Sequence, residues 1–276
     1  RKIVGRQMSV QKRKAKRKST RKKNSDSILL IGAGRMGTAL LQGWARNHIR
    51  NVTVVEPKQT AFLKKFAKEH HVSLAATIND LPNKKKFNAV VVAIKPQVLK
   101  AEVSSLKYVA MNATVISIAA GTSTKSLRAA WGPKARIVRA MPNTPGSIGQ
   151  GITGIYISNS AGPIDERRAK KLLSALGETV RVKNEGLIDS VTAVSGSGPA
   201  YVFHMVEALT TSGISQGLSP VQAEKFARAT IIGAGALLAV EKKSAAILRE
   251  NVTSPGGTTE AGLKKLRRGM TTLMER

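Results

Sequence analysis

Apolar residues in the first two thirds of this chain come in short unbroken runs, and in the last third they recur every three or four positions. Ile28–Ile31, Val52–Val55, Ala89–Ile94, Thr114–Ala119, Arg136–Arg139, Ile152–Ile157 and Thr179–Val182 are such runs. Short runs of this kind, several of them stopped by Gly or Pro, predict strands of a mainly parallel sheet covered on both faces. Between them Met36, Ala39, Leu40, Gly43 and Trp44 fall on one helical face, as do Phe62, Leu63, Phe66 and Ala67. Ala169, Leu172, Leu173 and Leu176 line a third helix, ended by Gly177. Pro96 stops one strand and opens the next helix.

From about Asn184 the strand-like runs stop. Tyr201, Met205, Ala208 and Leu209 share one helix face. Ser219-Pro220-Val221-Gln222 reads as an N-cap with Pro in the first turn and a capping-box Gln. The helix it opens carries Ala223, Phe226, Ala227, Thr230, Ile231, Ala234, Leu237 and Leu238, and Gly233 and Gly235 leave room for another helix. So apolar a helix in so small a domain predicts burial against a second copy of the chain; packing on its own first domain is the alternative. The expected organisation is a basic tail over 1–26, an α/β domain over 27–183 and an all-helical domain over 184–276.

The first strand runs into Gly32-Ala33-Gly34-Arg35-Met36-Gly37, and Glu56 ends the second strand, 24 residues after Gly32. Strand, glycine turn, helix, strand and acid in that order form the context of a Rossmann-like dinucleotide fingerprint. Gly32 suits the tight turn, Gly34 the approach of a pyrophosphate, and Gly37 close helix–strand packing. Glu56 stands where an acid binds the adenosine ribose of NAD and repels the extra phosphate of NADP. Lys58 pulls the other way, and Glu56 also reads as a plain surface acid. Lys95, at the carboxyl end of a strand, suits a nicotinamide-ribose contact. Asn143 lies in Met141-Pro142-Asn143-Thr144-Pro145, which two prolines stiffen into a candidate wall of the same cleft.

Two later stretches combine glycine with hydroxyls: Ser195–Tyr201 (SGSGPAY) and Ser254–Thr259 (SPGGTT). Gly and Pro disfavour a helix interior, so each is expected to be a loop opening onto a helix start, where hydroxyls and bare N–H groups hold a small carboxylate or phosphate. His204 follows on the next helix, facing a pocket or, by preference, a core or interface. His70 and His71 are adjacent, point apart and read as a solvated helix end rather than a metal site.

The chain contains no Cys, which removes thiolate nucleophiles and Cys-metal sites and fits a cytoplasmic setting. Neither a membrane-length apolar run nor a secretory h-region is visible. Of a net charge of +30, residues 1–25 hold twelve Lys or Arg and no acid, leaving +18 on the rest. The tail reads as a disordered, solvated extension that meets nucleic acid only non-specifically, and the basic body favours anionic small molecules. Acids are scarce near the glycine stretches, which suits hydride transfer, where the cofactor carries the chemistry.

The set GAGRMG, AIKPQ, RAMPNTP, AVSGSGPAYVF and VTSPGGTTEAGL, in this order, resembles the pyrroline-5-carboxylate reductases over about residues 27–270. The resemblance implies NADPH- or NADH-dependent reduction of 1-pyrroline-5-carboxylate to L-proline, the last step of proline biosynthesis. It implies a homodimer through the helical domain, with larger assemblies built from it. Carried over, Gly32, Ala33, Gly34, Arg35, Met36 and Gly37 hold the pyrophosphate, while Ala93, Lys95, Pro96 and Asn143 line the nicotinamide half. Ser195, Ser197, Gly198 and Pro199, with Gly257, Thr258 and Thr259, cradle the substrate carboxylate. No residue is assigned as the proton donor with certainty: His204 stands where relatives vary. The basic tail departs from the family pattern, and the chain ends soon after Leu263–Leu266, which bears on dimer strength. A β-hydroxy-acid dehydrogenase is the rival enzyme reading, although the helix after Gly198 carries no Lys as far as Ser212. A nucleic-acid-binding protein is the rival from another class.

Overall fold

In the computed structural model, which describes residues 26–82, 85–102 and 104–275, the chain forms two compact units that part between Pro199 and Ala200. The basic tail expected over 1–26 lies, apart from Asp26, outside the described residues.

The first unit alternates strand and helix. Its elements are β1 (Ile28–Ile31), α1 (Arg35–Arg46), β2 (Val52–Val55), α2 (Ala61–His70), β3 (Ser73–Ala75), β4 (Ala89–Val92), α3 (Pro96–Glu102), α4 (Lys107–Ala110), β5 (Thr114–Ser117), α5 (Thr124–Trp131), β6 (Arg136–Met141), β7 (Gly151–Ile157), α6 (Pro163–Leu173), β8 (Gly177–Arg181) and α7 (Leu187–Val191). The strands make one sheet in the order β3-β2-β1-β4-β5-β6-β7-β8. Neighbours are parallel except β6 and β7. Residues 142–150 are too few for a parallel crossover, which needs about a dozen. Asn143 Oδ1 accepts the Ile152 N–H at 3.0 Å and folds the chain back instead.

Burial on both faces explains the unbroken apolar runs of β1, β2, β4 and β5, whereas β8, expected from a similar run, is an edge strand with Val180 42% exposed. Ile28 and Leu30 join a core with Leu40 and Trp44 of α1, Phe66 of α2 and Leu173 of α6. Leu29 and Ile31 join a second core with Leu99 of α3, Val109 of α4, and Leu127 and Trp131 of α5. Buried Trp44 donates its indole N–H to the Leu172 carbonyl at 2.8 Å, tying α1 to α6. Truncating such a side chain to Ala costs about 3–5 kcal/mol. α6 ends at Leu173, earlier than the apolar pattern suggests; a 3₁₀ turn over Ser174–Leu176 follows, and Gly177 at φ 126° opens β8 directly.

The order reverses at β1, flanked by β2 and β4. The carboxyl ends of β1 and β4 therefore border the switch point where open α/β sheets take their ligands.

The remaining chain is helical: α8 (Gly198–Ser215), α9 (Pro220–Val240), α10 (Ala245–Asn251) and α11 (Thr258–Glu275). Ser219 caps α9 as expected: Gln222 N–H donates to its Oγ, and its own N–H donates to Gln222 Oε1. Among the residues from 200 to 267 only Ala223 and Ala227 are buried. A Cβ placed on Gly213 would lie 3.1 Å from Ala223, so α8 and α9 approach closely there. Phe203 and Phe226 are each 62% exposed.

Candidate functional site

The glycine turn occupies the carboxyl end of β1. Gly32 has φ 93°, and a Cβ there would meet the Ala93 carbonyl at 2.7 Å, so the turn lies against the chain leaving β4. A Cβ on Gly37 would stand 2.1 Å from the Gly32 carbonyl, so α1 starts in contact with the turn. At Gly34 the same test meets nothing within 4 Å. The first intrahelical bond of α1 runs from Thr38 N–H to Gly34 O, at 2.8 Å. The N–H groups of Arg35, Met36 and Gly37 thus precede the ladder and point out of the helix start. This helix N-terminus, open at Gly34 and positive by its dipole, fits a pyrophosphate.

Glu56 is no solvated surface acid. Its Oε2 accepts the Ala33 N–H at 2.8 Å and its Oε1 the Lys58 N–H at 2.9 Å. Thr38 Oγ1 donates to the Ala33 carbonyl at 2.8 Å and holds the turn from the other side. The Ala33 amide is therefore taken by the chain itself, leaving the amides beyond Gly34 for an anion. Lys95 is exposed just before α3, where its carbonyl accepts the Leu99 N–H, and Ala93 and Pro96 flank it half-buried. Asn143 stands two residues past the end of β6 with its side-chain oxygen committed to Ile152, while the 3₁₀ turn it precedes, Thr144–Ile148, packs on α1.

SGSGP is not the expected loop. Thr192–Gly196 form a π-helical turn that carries α7 almost without interruption into α8. The Ser197 N–H reaches the Thr192 carbonyl at 2.9 Å, five residues back, and Ser195 Oγ donates to the Val191 carbonyl at 2.9 Å. Widening by one residue satisfies the backbone that Gly and Pro were expected to break. Pro199, in the first turn of α8, lacks only an N–H that has no helical partner there. Gly196 lies against the end of the Met141 side chain: a Cβ there would stand 2.8 Å from Met141 Cε.

In the second unit SPGGTT is a turn, as expected. Gly257 N–H bonds Ser254 O at 3.0 Å, Gly256 has φ 70°, and Thr258 starts α11. Glu260 Oε2 accepts the Gly256 N–H at 2.7 Å. A groove of about 840 Å³ beside the turn is lined by Arg249, Thr253, Gly257, Glu260, Lys264 and Arg267. Glu250, ion-paired with Arg249 at 3.1 Å, also lines it, so the groove carries three cations against two acids, and no motif in the sequence singles them out. His204 lies in no core: it is 81% exposed on α8, with Nδ1 3.0 Å from Glu207 Oε2.

Comparison with known proteins agrees with both halves. Residues 185–276 match the family described as pyrroline-5-carboxylate reductase dimerisation, and residues 27–121 match NADP oxidoreductase coenzyme F420-dependent. A pyrroline-5-carboxylate reductase of Pseudomonas aeruginosa is 36% identical over 86% of this chain and 87% of its own. The solved pyrroline-5-carboxylate reductase of Coxiella burnetii superposes with a TM-score of 0.81 at 32% identity, over 91% of this chain and 94% of that one. The Plasmodium falciparum enzyme, solved with NADP bound, gives 0.76 at 25% identity, over 90% and 92%. With a dinucleotide-type glycine turn at the switch point and relatives of this similarity along most of its length, the chain belongs to the pyrroline-5-carboxylate reductase family.

Proposed function

We propose that this chain reduces 1-pyrroline-5-carboxylate to L-proline with NADPH or NADH, the last step of proline biosynthesis. The observation that carries the reading is the open Gly34 at the start of α1, on the switch point of the sheet, in a member of this family.

The dinucleotide supplies the hydride. Arg35, Met36 and Gly37 N–H groups bind its pyrophosphate, and Glu56, aligned by two backbone donors, faces the adenosine ribose. Ala93, Lys95, Pro96 and Asn143 border the nicotinamide half. Ser195, Ser197, Gly198 and Pro199 from one stretch, and Gly257, Thr258 and Thr259 from the other, hold the substrate carboxylate, with the Ser197, Thr258 and Thr259 hydroxyls and the bare amides at the start of α11 as its donors. The protein's main contribution is then orientation. The imine carbon is held for attack, and the imine proton arrives with the substrate from solvent. His204, exposed and paired with Glu207, is given no proton-donor role.

The helical part, 184–276, joins two copies into a homodimer, from which larger assemblies are built. Its support is the groove of about 650 Å³ between α8 and α9, lined by Val202, Phe203, Pro220, Ile231 and Ile232, together with Gly233 and Gly235, which face open space. The enzyme works in the cytoplasm, and its tail meets nucleic acid only non-specifically. No helix among the described residues is long and apolar enough to cross a membrane.

The test is absorbance at the reduced-nicotinamide band with 1-pyrroline-5-carboxylate and either NADPH or NADH, beside a β-hydroxy acid with the oxidised cofactors. Turnover of the cyclic imine alone is expected. Turnover of the hydroxy acid alone, or of neither, overturns the reading.

A further inference from the structure

The π-turn and the start of α8 present Ser195–Pro199, but the bonds within them set only their shape. Their place on the first unit depends on what ties residues 185–199 to the sheet. Three ties exist. Val191 fills the space over Gly154 of β7, where a Cβ would come within 2.7 Å of its Cγ1. Met141, the last residue of β6, rests against Gly196. The third is ionic. Arg139 of β6 is 6% exposed, and its guanidinium reaches two carboxylates four residues apart: Glu185 at 3.3 Å and Asp189 at 3.1 Å. Glu185 in turn accepts the Thr124 N–H at 2.7 Å and the Thr124 hydroxyl, at the first turn of α5.

Arg139 points to the face of the sheet that α5 covers, as does its register partner Ser117, which is fully buried. Ser117 Oγ has no hydrogen-bond partner among the described residues. A buried cation is costly unless paired. Here the pairing is spent on one segment, and that segment carries the hydroxyls toward which substrate is brought.

We propose that Arg139 is a positioning residue: forked between Glu185 and Asp189, it fixes residues 185–199 on the carboxyl edge of the sheet and so sets where Ser195–Pro199 stand. The inference rests on the reading of Ser195–Pro199 as part of the substrate site. Lys cannot reproduce a planar two-carboxylate fork, so Arg139→Lys keeps the charge and loses the geometry. Asp189 is 77% exposed in its side chain, so Asp189→Asn removes one arm without opening a core.

The experiment uses the full chain and has two readouts. In Arg139→Lys, amide hydrogen exchange over 186–197 is expected to rise about tenfold while 28–46 stays as in wild type. The KM for 1-pyrroline-5-carboxylate is expected to rise roughly tenfold, with the NADPH dissociation constant, read by nucleotide fluorescence, within about twofold. Asp189→Asn should move exchange and KM the same way by roughly threefold. Unchanged exchange over 186–197 in both variants overturns the proposal, as does an unchanged KM or an equal loss of NADPH affinity. A wild type that does not reduce the imine overturns the functional reading and its KM arm, and the exchange comparison still decides whether Arg139 holds the segment.

Discussion

A methyl branch at position 34 and one at position 37 would do opposite things. Gly34 has φ −67° and ψ −163°, open to any residue, and its missing Cβ faces no protein atom within 4 Å. Gly34→Val should therefore fold normally and lose the dinucleotide: fluorescence titration is expected to show affinity at least tenfold weaker, about 1.4 kcal/mol, with an unchanged melting temperature. Gly37→Ala drives a Cβ to 2.1 Å from the Gly32 carbonyl. The turn must move, at a cost on the order of 3 kcal/mol, so here the melting temperature itself should fall. The open space at Gly34 and the close packing at Gly37 were both legible in the motif, because a strand, a glycine turn and a helix in series leave few other geometries. The partner of Glu56 was not. Its bond to Ala33 crosses 23 positions, and the spacing rule names the ribose rather than the amide that holds the acid in place.

Among the elements, α6 and β8 are joined by Glu166, whose carboxylate meets Lys170 Nζ at 2.9 Å and Arg181 at 2.8 Å. The hydrogen bond from Lys170 chiefly, with the charges of Arg181 and Lys170, holds its pKa below the ordinary 4.5 against the opposing effect of burial. A carboxyl with a lowered folded-state pKa stabilises the fold above its ordinary pKa and loses that contribution as pH falls through the lowered one. Glu166→Gln should lower stability by about 0.5–1 kcal/mol at neutral pH, the partners being half-exposed. In strong acid the urea midpoints of variant and wild type should converge. At this scale the sequence was uneven. The strands buried on both faces stand out as unbroken runs, whereas β3 has three residues of which only Ala75 is buried, too little to show a period. α5 has a Ser123 cap and buries Leu127 and Trp131 one turn apart, a pattern too brief to stand out between two strong strands. SGSGP misled because Gly and Pro mark loops on average, and a one-residue widening of the helix meets the same local demands. The Arg139 fork joins residues 46 and 50 positions apart, and no local pattern announces such a pair.

For the molecule as a whole, the contrast between the two units decides behaviour. The first has a core on each face of its sheet. Among its described side chains the second keeps two alanines from solvent and leaves Val221 78%, Ile232 68% and Phe226 62% exposed. Apolar surface of that extent marks an association face, which accords with the dimerisation match over 185–276. Sedimentation at micromolar concentration should therefore give at least twice the chain mass, and Val221→Asp together with Ile232→Asp should shift it toward one chain.

An interior this sparse also ties survival of the helices to mass action. Burial against another copy should stabilise α8–α11, so the melting temperature should climb as protein is concentrated. Dilution alone, without heat or denaturant, should melt the helices before the sheet, and a newly made chain should keep its helical part loosely ordered until a second copy arrives.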